Sequence, residues 1–286
     1  MSNRIKNFIK NSIHYIILAV KRYNEDAADS LASHISLNLL LSFFPIMVFL
    51  LTLAGYSPIE GDQVIALILD FIPTEAHTLM KNTIYQVLDH KNPTLLSLSL
   101  LTTMYGASRG FKAILLGLNI AYDVDENRGF IVRNLLAIFF TFAIVLLVIG
   151  SLLLLVLGQT IWDFIENMLD LPDNFFIIWT FIRYAGMFSI MYITFAILYA
   201  KSSAIKLPFK TVRYGTLFTT ISWFVVSYGF SFYVDNFGNY ANIYGGIAGL
   251  FIMILWLNLM SSVILFGGEL NAAIYYKNPG KRRHLR

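Results

Sequence analysis

Six long apolar runs, separated by polar connections, dominate the hydrophobic pattern of this chain. The runs cover residues 34–56, 93–116, 131–158, 175–200, 212–234 and 243–276. A transmembrane helix needs about 20 consecutive apolar residues to cross a bilayer, and every run reaches that length. The pattern therefore predicts an all-α membrane protein, in which residues 1–286 form a single polytopic membrane domain with six transmembrane helices.

Two further segments have the period of amphipathic helices but are too polar to cross a bilayer. Residues 1–30 place apolar side chains on one helical face and most of their basic side chains off that face. This pattern predicts an interfacial helix on the cytosolic leaflet, and a helix packed against the transmembrane bundle is the alternative. Residues 57–92 contain two such patterns, separated by Pro73, which predicts an extracytoplasmic helical hairpin.

The composition differs from that of an ordinary soluble domain. Only 13% of the residues are charged and the mean hydropathy is +0.65, whereas about 25% of residues are charged in typical soluble domains. Cysteine is absent, and this absence excludes disulfides, thiolate nucleophiles and cysteine-ligated metals.

Basic residues are concentrated on one predicted side of the membrane. All but three of the 21 Lys and Arg residues lie in the N-terminal segment, around the connections that follow the second and fourth runs, or in the C-terminal tail. The other connections are acidic. Loops rich in Lys and Arg stay in the cytosol, so we predict that both termini are cytosolic. The pI of about 9.1 is then explained by topology, and no nucleic-acid partner is expected.

Arg183 is a charged residue inside a predicted transmembrane helix. It lies roughly 12 Å from the start of the fourth apolar run, at 1.5 Å per helical residue. An arginine at mid-helix costs roughly 2.5–3.5 kcal/mol to insert, so a partner or a wet cavity is expected. Asp173 and Asp235 are the nearest acids on the outer side. An ion pair or a snorkelling side chain is one interpretation, and an anionic ligand is the other.

Arg109 and Glu269 both lie towards the predicted cytosolic ends of their helices. Glu269 follows Gly267 and Gly268, which allow another helix to approach closely. We predict that Glu269 pairs with Arg109 or with another basic residue at that level. Such a pair is either a salt bridge that locks helices together or part of a substrate or proton path.

Two pairs of glycines have the small-residue spacing of closely packed membrane helices. The pairs are Gly106-x-x-x-Gly110 and Gly245-x-x-x-Gly249. We interpret both as helix-packing sites. The second pair follows a turn rich in Tyr and Asn, so an opening at the end of a span is the alternative there.

No catalytic constellation is evident in the sequence. The five histidines are scattered, and none forms a pair with metal-ligand spacing. The turn Asp123-Val124-Asp125-Glu126 superficially resembles a calcium loop, but the twelve-residue ligand pattern and its closing Glu are missing. We interpret it as a solvated cytosolic turn. The sequence therefore predicts no catalytic residue, no bound metal and no cofactor, and we expect that the protein is not an enzyme.

Several motifs closely match the pattern of one bacterial family. They are Phe44-Pro45, Ser108-Arg109-Gly110-Phe111, Asn119, Tyr122, Glu126, Arg128, Arg133, Tyr244-Gly245, Leu255-Trp256-Leu257 and Gly268-Glu269-Leu270-Asn271-Ala272. They occur in the family's order over nearly the whole chain, which resembles the YihY/BrkB family of bacterial inner-membrane proteins. The resemblance implies six spans, cytosolic termini and a multi-pass protein of the bacterial plasma membrane. Members were long labelled ribonuclease BN, a name generally regarded as a misassignment, and relatives have been connected with cell-envelope biogenesis and movement of envelope lipids.

Three functional hypotheses follow from these observations. The first is a transporter or flippase-like protein for an anionic envelope lipid or amphiphile, with membrane lipids as its partners. The second is a structural scaffold, whose partners would be envelope-assembly proteins, and the third is a membrane-associated ribonuclease. The oligomeric state is left open. For the first hypothesis the candidate substrate-binding residues are Arg109, Asn119, Glu126, Arg128, Arg183, Glu269 and Asn271.

Overall fold

The computed structural model describes residues 2–56, 92–140, 142, 143, 162, 168, 174–205, 207–237 and 248–276. Its helices are α1 (Ser2–Glu25), α2 (Ala28–Gly55), α3 (Pro93–Ala121), α4 (Phe130–Phe140), α5 (Asn174–Ser202), α6 (Phe209–Phe237) and α7 (Ala248–Tyr276). No strand occurs within these residues. The predicted all-α class is therefore confirmed for the part of the chain that the structure describes.

Three of these helices are long and apolar enough to cross a membrane. They are Phe175–Ser202 in α5, Phe209–Val234 in α6 and Gly249–Tyr276 in α7, with mean hydropathies of 1.6, 1.4 and 2.2. They coincide with the fourth, fifth and sixth predicted spans. Helices α2 and α3 cover the first two predicted spans, and α3 continues about one turn beyond residue 116 to Ala121.

The remaining topology stays a prediction. Of the third predicted span, residues 131–158, the structure describes α4 and two residues after it. Nearly all of the predicted hairpin at residues 57–92 lies outside the described residues, as does the C-terminal tail after Tyr276. The number of spans and the sides on which the termini lie are therefore not decided by these helices.

The sequence predicts one interfacial helix over residues 1–30, but in the structure this segment contains α1 and the start of α2. Helix α1 ends at Glu25, and α2 already begins at Ala28. Between them Ala27 has a φ of 50°, in the left-handed region that non-glycine residues seldom adopt. The amide of Asp26 donates to the carbonyl of Arg22 at 2.9 Å, so α1 closes with a helical turn before the chain enters α2.

Helix α1 has a packed face and an exposed apolar face. Ala19 and Arg22 are buried, whereas Ile13 and Ile17 are 52% and 63% exposed. The packed face agrees with the alternative of a helix held against other helices. The exposed isoleucines suit contact with a membrane surface, and the interfacial position stays a prediction.

The helices form two compact units. Among the described residues, the first unit comprises those within Met1–Asp29, Ile114–Phe224 and Val263–Arg286, and the second comprises those within Ser30–Ala113 and Val225–Ser262. In the second unit, the predicted packing at Gly106 and Gly110 is confirmed. A Cβ at Gly106 would lie 2.9 Å from Ser42 Oγ, and one at Gly110 would lie 2.9 Å from Leu39 Cδ2, so α2 and α3 approach closely on this face of α3.

The other predicted packing pair is described only in part. Gly245 lies outside the described residues. A Cβ at Gly249 would have no described atom within 4 Å. Close helix contact is therefore found at the first glycine pair and is not found at Gly249.

Candidate functional site

A buried ion pair links α1 to α7 in the first unit. Arg22 Nε donates to Glu269 Oε2 at 3.1 Å, and the side chains of Arg22 and Glu269 are 3% and 2% exposed. The prediction that Glu269 pairs with a basic residue is confirmed, and the partner is Arg22. Buried charges are stable only when they are paired and hydrogen-bonded, so this pair fixes the end of α1 against α7.

The Arg22 guanidinium has further acceptors around it. Its Nη2 donates to the carbonyl of Ala121 and, at 3.3 Å, to Asp123 Oδ2. The guanidinium also lies 5.8 Å from the centre of the Tyr276 ring. One arginine therefore holds together the end of α1, the end of α3 and α7.

Glu269 also interacts with a second carboxyl group. The charge of Asp26 acts on Glu269. The carboxyl groups of Asp26, Asp123 and Glu269 are thus all associated with the Arg22 cluster. Within the described residues no group of three His, Asp or Glu side chains could hold a metal ion, so these carboxyl groups are arranged around a guanidinium.

Asn119, Glu126 and Arg128, three of the predicted site residues, form one network. Arg128 donates to both carboxylate oxygens of Glu126, from Nε at 2.7 Å and from Nη2 at 2.6 Å. Asn119 Nδ2 donates to Glu126 Oε2 at 2.9 Å, while Asn119 Oδ1 accepts from the amide of Ala204 at 2.8 Å. The network ties the α3–α4 connection to the chain after α5.

Arg128 also caps the C-terminal end of α5. Its Nη2 donates to the carbonyl of Ser202 at 2.8 Å, which supplies a cation where helix carbonyls lack partners. The hydrogen bonds and positive charge of Arg128 hold the pKa of Glu126 below its ordinary value of 4.5, against the opposing effect of partial burial. Glu126 is therefore kept ionised for its partners.

The acidic turn that contains Glu126 is less solvated than the sequence analysis expected. Asp123 contacts Arg22, and the side chains of Asp123 and Glu126 are only 17% and 19% exposed. Asp125 is exposed. The prediction of a solvated turn is thus wrong for Asp123 and Glu126, because the basic side chains of Arg22 and Arg128 reach them.

Asn271 lies at a close contact between α6 and α7. Its Oδ1 accepts a hydrogen bond from the amide of Gly215 at 2.7 Å. A Cβ at Gly215 would collide with the carbonyl oxygen of Gly267, so only glycine permits this approach. The Nδ2 of Asn271 is buried and has no hydrogen-bond partner within the described residues. The predicted close approach at Gly267 is therefore present.

Arg109 and Arg183 do not belong to the hydrogen-bonded networks described above. Each lies near the ring of a tyrosine on its own helix, Arg109 at 5.8 Å from Tyr105 and Arg183 at 5.4 Å from Tyr184. Arg109 is exposed, and the Nε of Arg183 is buried without a hydrogen-bond partner in the described residues. Asp173 and the side chain of Asp235, the predicted neighbours of Arg183, lie outside the described residues.

The sequence matches a known family over most of its length. A sequence model of the family described as Virulence factor BrkB matches residues 19–286. The chain belongs to the BrkB family. It is therefore a membrane protein, and the three long apolar helices α5, α6 and α7 agree with a chain that crosses the membrane more than once.

Relatives with full and partial coverage support this assignment. The chain is 37% identical over 254 residues to the ribonuclease-like protein YfkH of Bacillus subtilis, covering 89% of this chain and 92% of YfkH. It is 23% identical over 300 residues to a UPF0761 membrane protein of Vibrio campbellii, covering 98% of this chain and 87% of that protein. A UPF0761 membrane protein of Pseudoalteromonas translucida is 32% identical over 91 residues, 30% of its length. No solved structure matches the chain.

Sequence reasoning missed Arg22, Asp26 and Asp123. Arg22 and Asp26 follow Ala19 at three and seven residues, so all three share one helical face. Ala19, a small residue between the bulky residues 13–18 and 20–23, was the available signal that this face is packed. Asp123 has a φ of 48° just after α3, a position where Asn and Asp are tolerated, and its partner on α1 could not be inferred from local spacing.

Proposed function

We propose that this membrane protein is a transporter or flippase-like protein for an anionic envelope lipid or amphiphile. The observation that carries the proposal is the position of Arg109 and Arg183. Each guanidinium lies near a tyrosine ring, and the salt bridges within the described residues do not include either one. An arginine on an apolar helix that is not neutralised by a carboxylate is available for an anionic group.

The hydroxyl groups on the helices do not support the proposal in the same way. Ser42, Thr216 and Thr220 each donate to the backbone carbonyl four residues earlier. Hydroxyls in membrane helices are commonly satisfied in this manner. The arginines therefore carry the argument for an anionic substrate.

The proposal includes the location and orientation of the protein. We place it in the inner membrane of a bacterium with both termini in the cytosol, because nearly all basic residues lie on one predicted side and basic loops stay inside. Labelling of a C-terminal tag tests this placement: a tag that reacts with an impermeant reagent on intact spheroplasts contradicts it.

Reconstitution tests the transport activity. The purified protein is inserted into liposomes that contain a fluorescent anionic phospholipid, and transbilayer movement is followed by quenching with and without a proton gradient. We expect acceleration by the wild type, loss in Arg183→Ala and a change in Glu269→Gln. Lys21→Gln is the matched control, because Lys21 is 70% exposed and its salt bridge is to Glu25, four residues away on the same helix. No acceleration for any anionic lipid would reject the proposal for those lipids.

A scaffold is the second candidate function, and one observation favours it. Arg22 and Arg128 use their charges within the protein, where they join helix ends through Glu269, Asp123 and Glu126. Such pairs give a rigid assembly without a ligand. The scaffold predicts that envelope-assembly proteins are recovered with the chain after crosslinking in cells, and that Arg183→Ala leaves their recovery unchanged.

Neither candidate assigns catalysis to this chain. YfkH carries the description ribonuclease-like, so an RNA-cleavage assay with added divalent metal is the direct test. Cleavage by the purified protein that disappears on substitution of Asp123, Asp125 and Glu126 would replace both proposals by the ribonuclease hypothesis. We expect no cleavage.

A further inference from the structure

A groove between α5 and α6 combines an apolar wall with a cation. It has a volume of about 660 Å³ and lies within the first unit. Its wall is formed by Phe188, Tyr192 and Ile193 of α5 with Tyr214 and Leu217 of α6, and Arg213 also lines it. Binding sites for small ligands have volumes of about 300–1,000 Å³ and are mostly apolar with a few polar groups, so the groove has the size and lining of such a site.

Arg213 is the charged group of this groove. Its Nη2 donates to the Tyr214 hydroxyl at 2.6 Å, and its guanidinium lies 4.5 Å from the centre of the Tyr214 ring. This contact uses one of the five N–H donors of the guanidinium. The Tyr214 contact positions the guanidinium beside the groove. Because Arg213 is exposed, its remaining N–H donors are accessible to a ligand.

The salt bridges within the described residues do not include Arg213. From Asn174 to Val234 the sequence contains no Asp or Glu, although it contains five Lys and Arg residues. Arg213 also lies in the second turn of α6, which begins at Phe209, and the N-terminal end of a helix favours negative charge. Charge complementarity therefore favours an anionic occupant.

The other lining groups favour an apolar body for that occupant. The hydroxyl of Ser189 donates to the carbonyl of Ala185 at 2.7 Å, so it needs no ligand. The Phe188 ring stacks on Phe224 with centres 6.2 Å apart, which extends the aromatic wall along α6. Ile193 is 55% exposed. The groove therefore opens onto the outer surface of the helix pair, where a lipid can enter it.

We propose that the α5–α6 groove binds a membrane phospholipid with a net negative headgroup. Arg213 binds the phosphate, Tyr214 orients the guanidinium, and an acyl chain lies along Phe188, Ile193 and Leu217. The inference rests on the proposed function, because both take an anionic amphiphile as the ligand. It assigns binding to Arg213, a residue outside the predicted site.

Site-specific photocrosslinking of the full chain in nanodiscs tests the groove. A benzoylphenylalanine is placed at Ile193, with a second position at Ile177 as control because Ile177 is 72% exposed on α5 and does not line the groove. The nanodiscs contain equal amounts of radiolabelled phosphatidylglycerol and phosphatidylcholine. We expect about tenfold preference for phosphatidylglycerol at Ile193, the factor given by a difference of about 1.4 kcal/mol, and equal labelling at Ile177.

Substitutions identify the cation responsible. Arg213→Gln should abolish the preference at Ile193, whereas Lys210→Gln should retain it, because Lys210 is an exposed cation of the same helix that does not line the groove. Leu217→Trp fills the groove without a change in charge and should lower labelling by both lipids. The inference is overturned if Ile193 and Ile177 show the same preference, or if both charge substitutions reduce it equally.

The outcome is separate from that of the transport assay. Retained lipid preference at Ile193 with no transbilayer movement would count against the proposed function alone. Transbilayer movement of anionic lipid by the wild type, with no preference at Ile193, would count against the groove alone.

Discussion

Five of the arginines that the structure describes fall into two groups, which differ in what lies next to the guanidinium. Arg22 and Arg128 each bind carboxylates, with Arg22 only 3% and Arg128 only 17% exposed. Arg109, Arg183 and Arg213 each lie near a tyrosine of their own helix, at 5.8, 5.4 and 4.5 Å. The first group joins segments distant in sequence, whereas the contacts of the second group are local.

This difference separates arginines that stabilise the fold from arginines that are available to bind an anionic ligand. A guanidinium that satisfies carboxylates and backbone carbonyls stabilises the fold, and its loss leaves buried partners without compensation. A guanidinium stacked on a tyrosine gains only a modest cation–π interaction and can still bind an anion. Removal of the first group should therefore affect unfolding, and removal of the second should affect ligand binding.

The largest expected effect is the loss of Arg22. Arg22→Met leaves Glu269 buried at 2% exposure without its cation, and breaking a buried pair costs about 3–5 kcal/mol. We expect the free energy of unfolding in detergent micelles, measured by titration with a denaturing detergent, to fall by that amount. The double variant Arg22→Met/Glu269→Leu should recover part of the loss, since the unpaired charge is gone.

Lys21→Met provides the matched control for that measurement. Lys21 is adjacent in sequence but 70% exposed, with a 3.6 Å contact to Glu25. Exposed pairs contribute about 0–1 kcal/mol, so this variant should unfold almost like the wild type. Equal losses for Lys21→Met and Arg22→Met would show that the buried pair has no special role.

The second effect concerns Glu126 and is dependent on pH. The hydrogen bonds and charge of Arg128 hold the pKa of Glu126 below 4.5. Because the pKa is lower in the folded state, the stabilisation is fully present above 4.5 and is lost as the pH falls through the folded value. Hydrogen bonds to charged groups contribute about 1.5–3 kcal/mol, so Glu126→Gln should cost about that amount at neutral pH.

A comparison of two pH profiles measures the contribution of the Glu126 carboxylate to stability. Thermal unfolding of the wild type and of Glu126→Gln is followed from pH 7 downward. The difference between the two melting temperatures should be constant at neutral pH and should shrink below pH 4.5. A difference that does not change with pH would contradict the assignment of Arg128 to the structural group.

Arg183 should give a smaller effect of opposite sign. Its Nε is buried without a hydrogen-bond partner in the described residues, and an arginine within a span is costly. Arg183→Leu should therefore raise the free energy of unfolding by about 1 kcal/mol, because the removed insertion cost exceeds a cation–π contribution of about 0.5–1 kcal/mol. A loss of more than 1 kcal/mol in the same detergent titration would place Arg183 with Arg22.

The sequence was sufficient to predict the long apolar helices α5, α6 and α7 and one half of the buried ion pair. Long apolar runs predicted α5, α6 and α7, because twenty or more apolar residues have few structures other than a membrane helix. The position of Glu269 beside two glycines predicted an ion pair, since a buried carboxylate requires a cation. Both inferences depend on physics that is local to one helix.

The identity of the partner was not available from the sequence. Arg22 lies 247 positions from Glu269, in a segment whose periodicity fits either a membrane surface or a helix bundle. The two groups of arginines could not be separated from the sequence either. The sequence neighbours of Arg128 and Arg213 do not reveal which of the two guanidinium groups binds a carboxylate. Only the packing of distant segments decides which guanidinium meets a carboxylate.

The smallest expected effect belongs to Arg109. It is exposed on α3, and its described contact is with Tyr105, itself 64% exposed. Surface substitutions away from buried networks usually change stability by less than about 0.5 kcal/mol, so Arg109→Gln should unfold like the wild type in the detergent titration. The same variant should slow transbilayer movement of an anionic lipid if Arg109 handles substrate. Unchanged transport would remove Arg109 from the substrate-binding residues, and a loss of several kcal/mol would show that exposure and a tyrosine contact do not identify an available arginine.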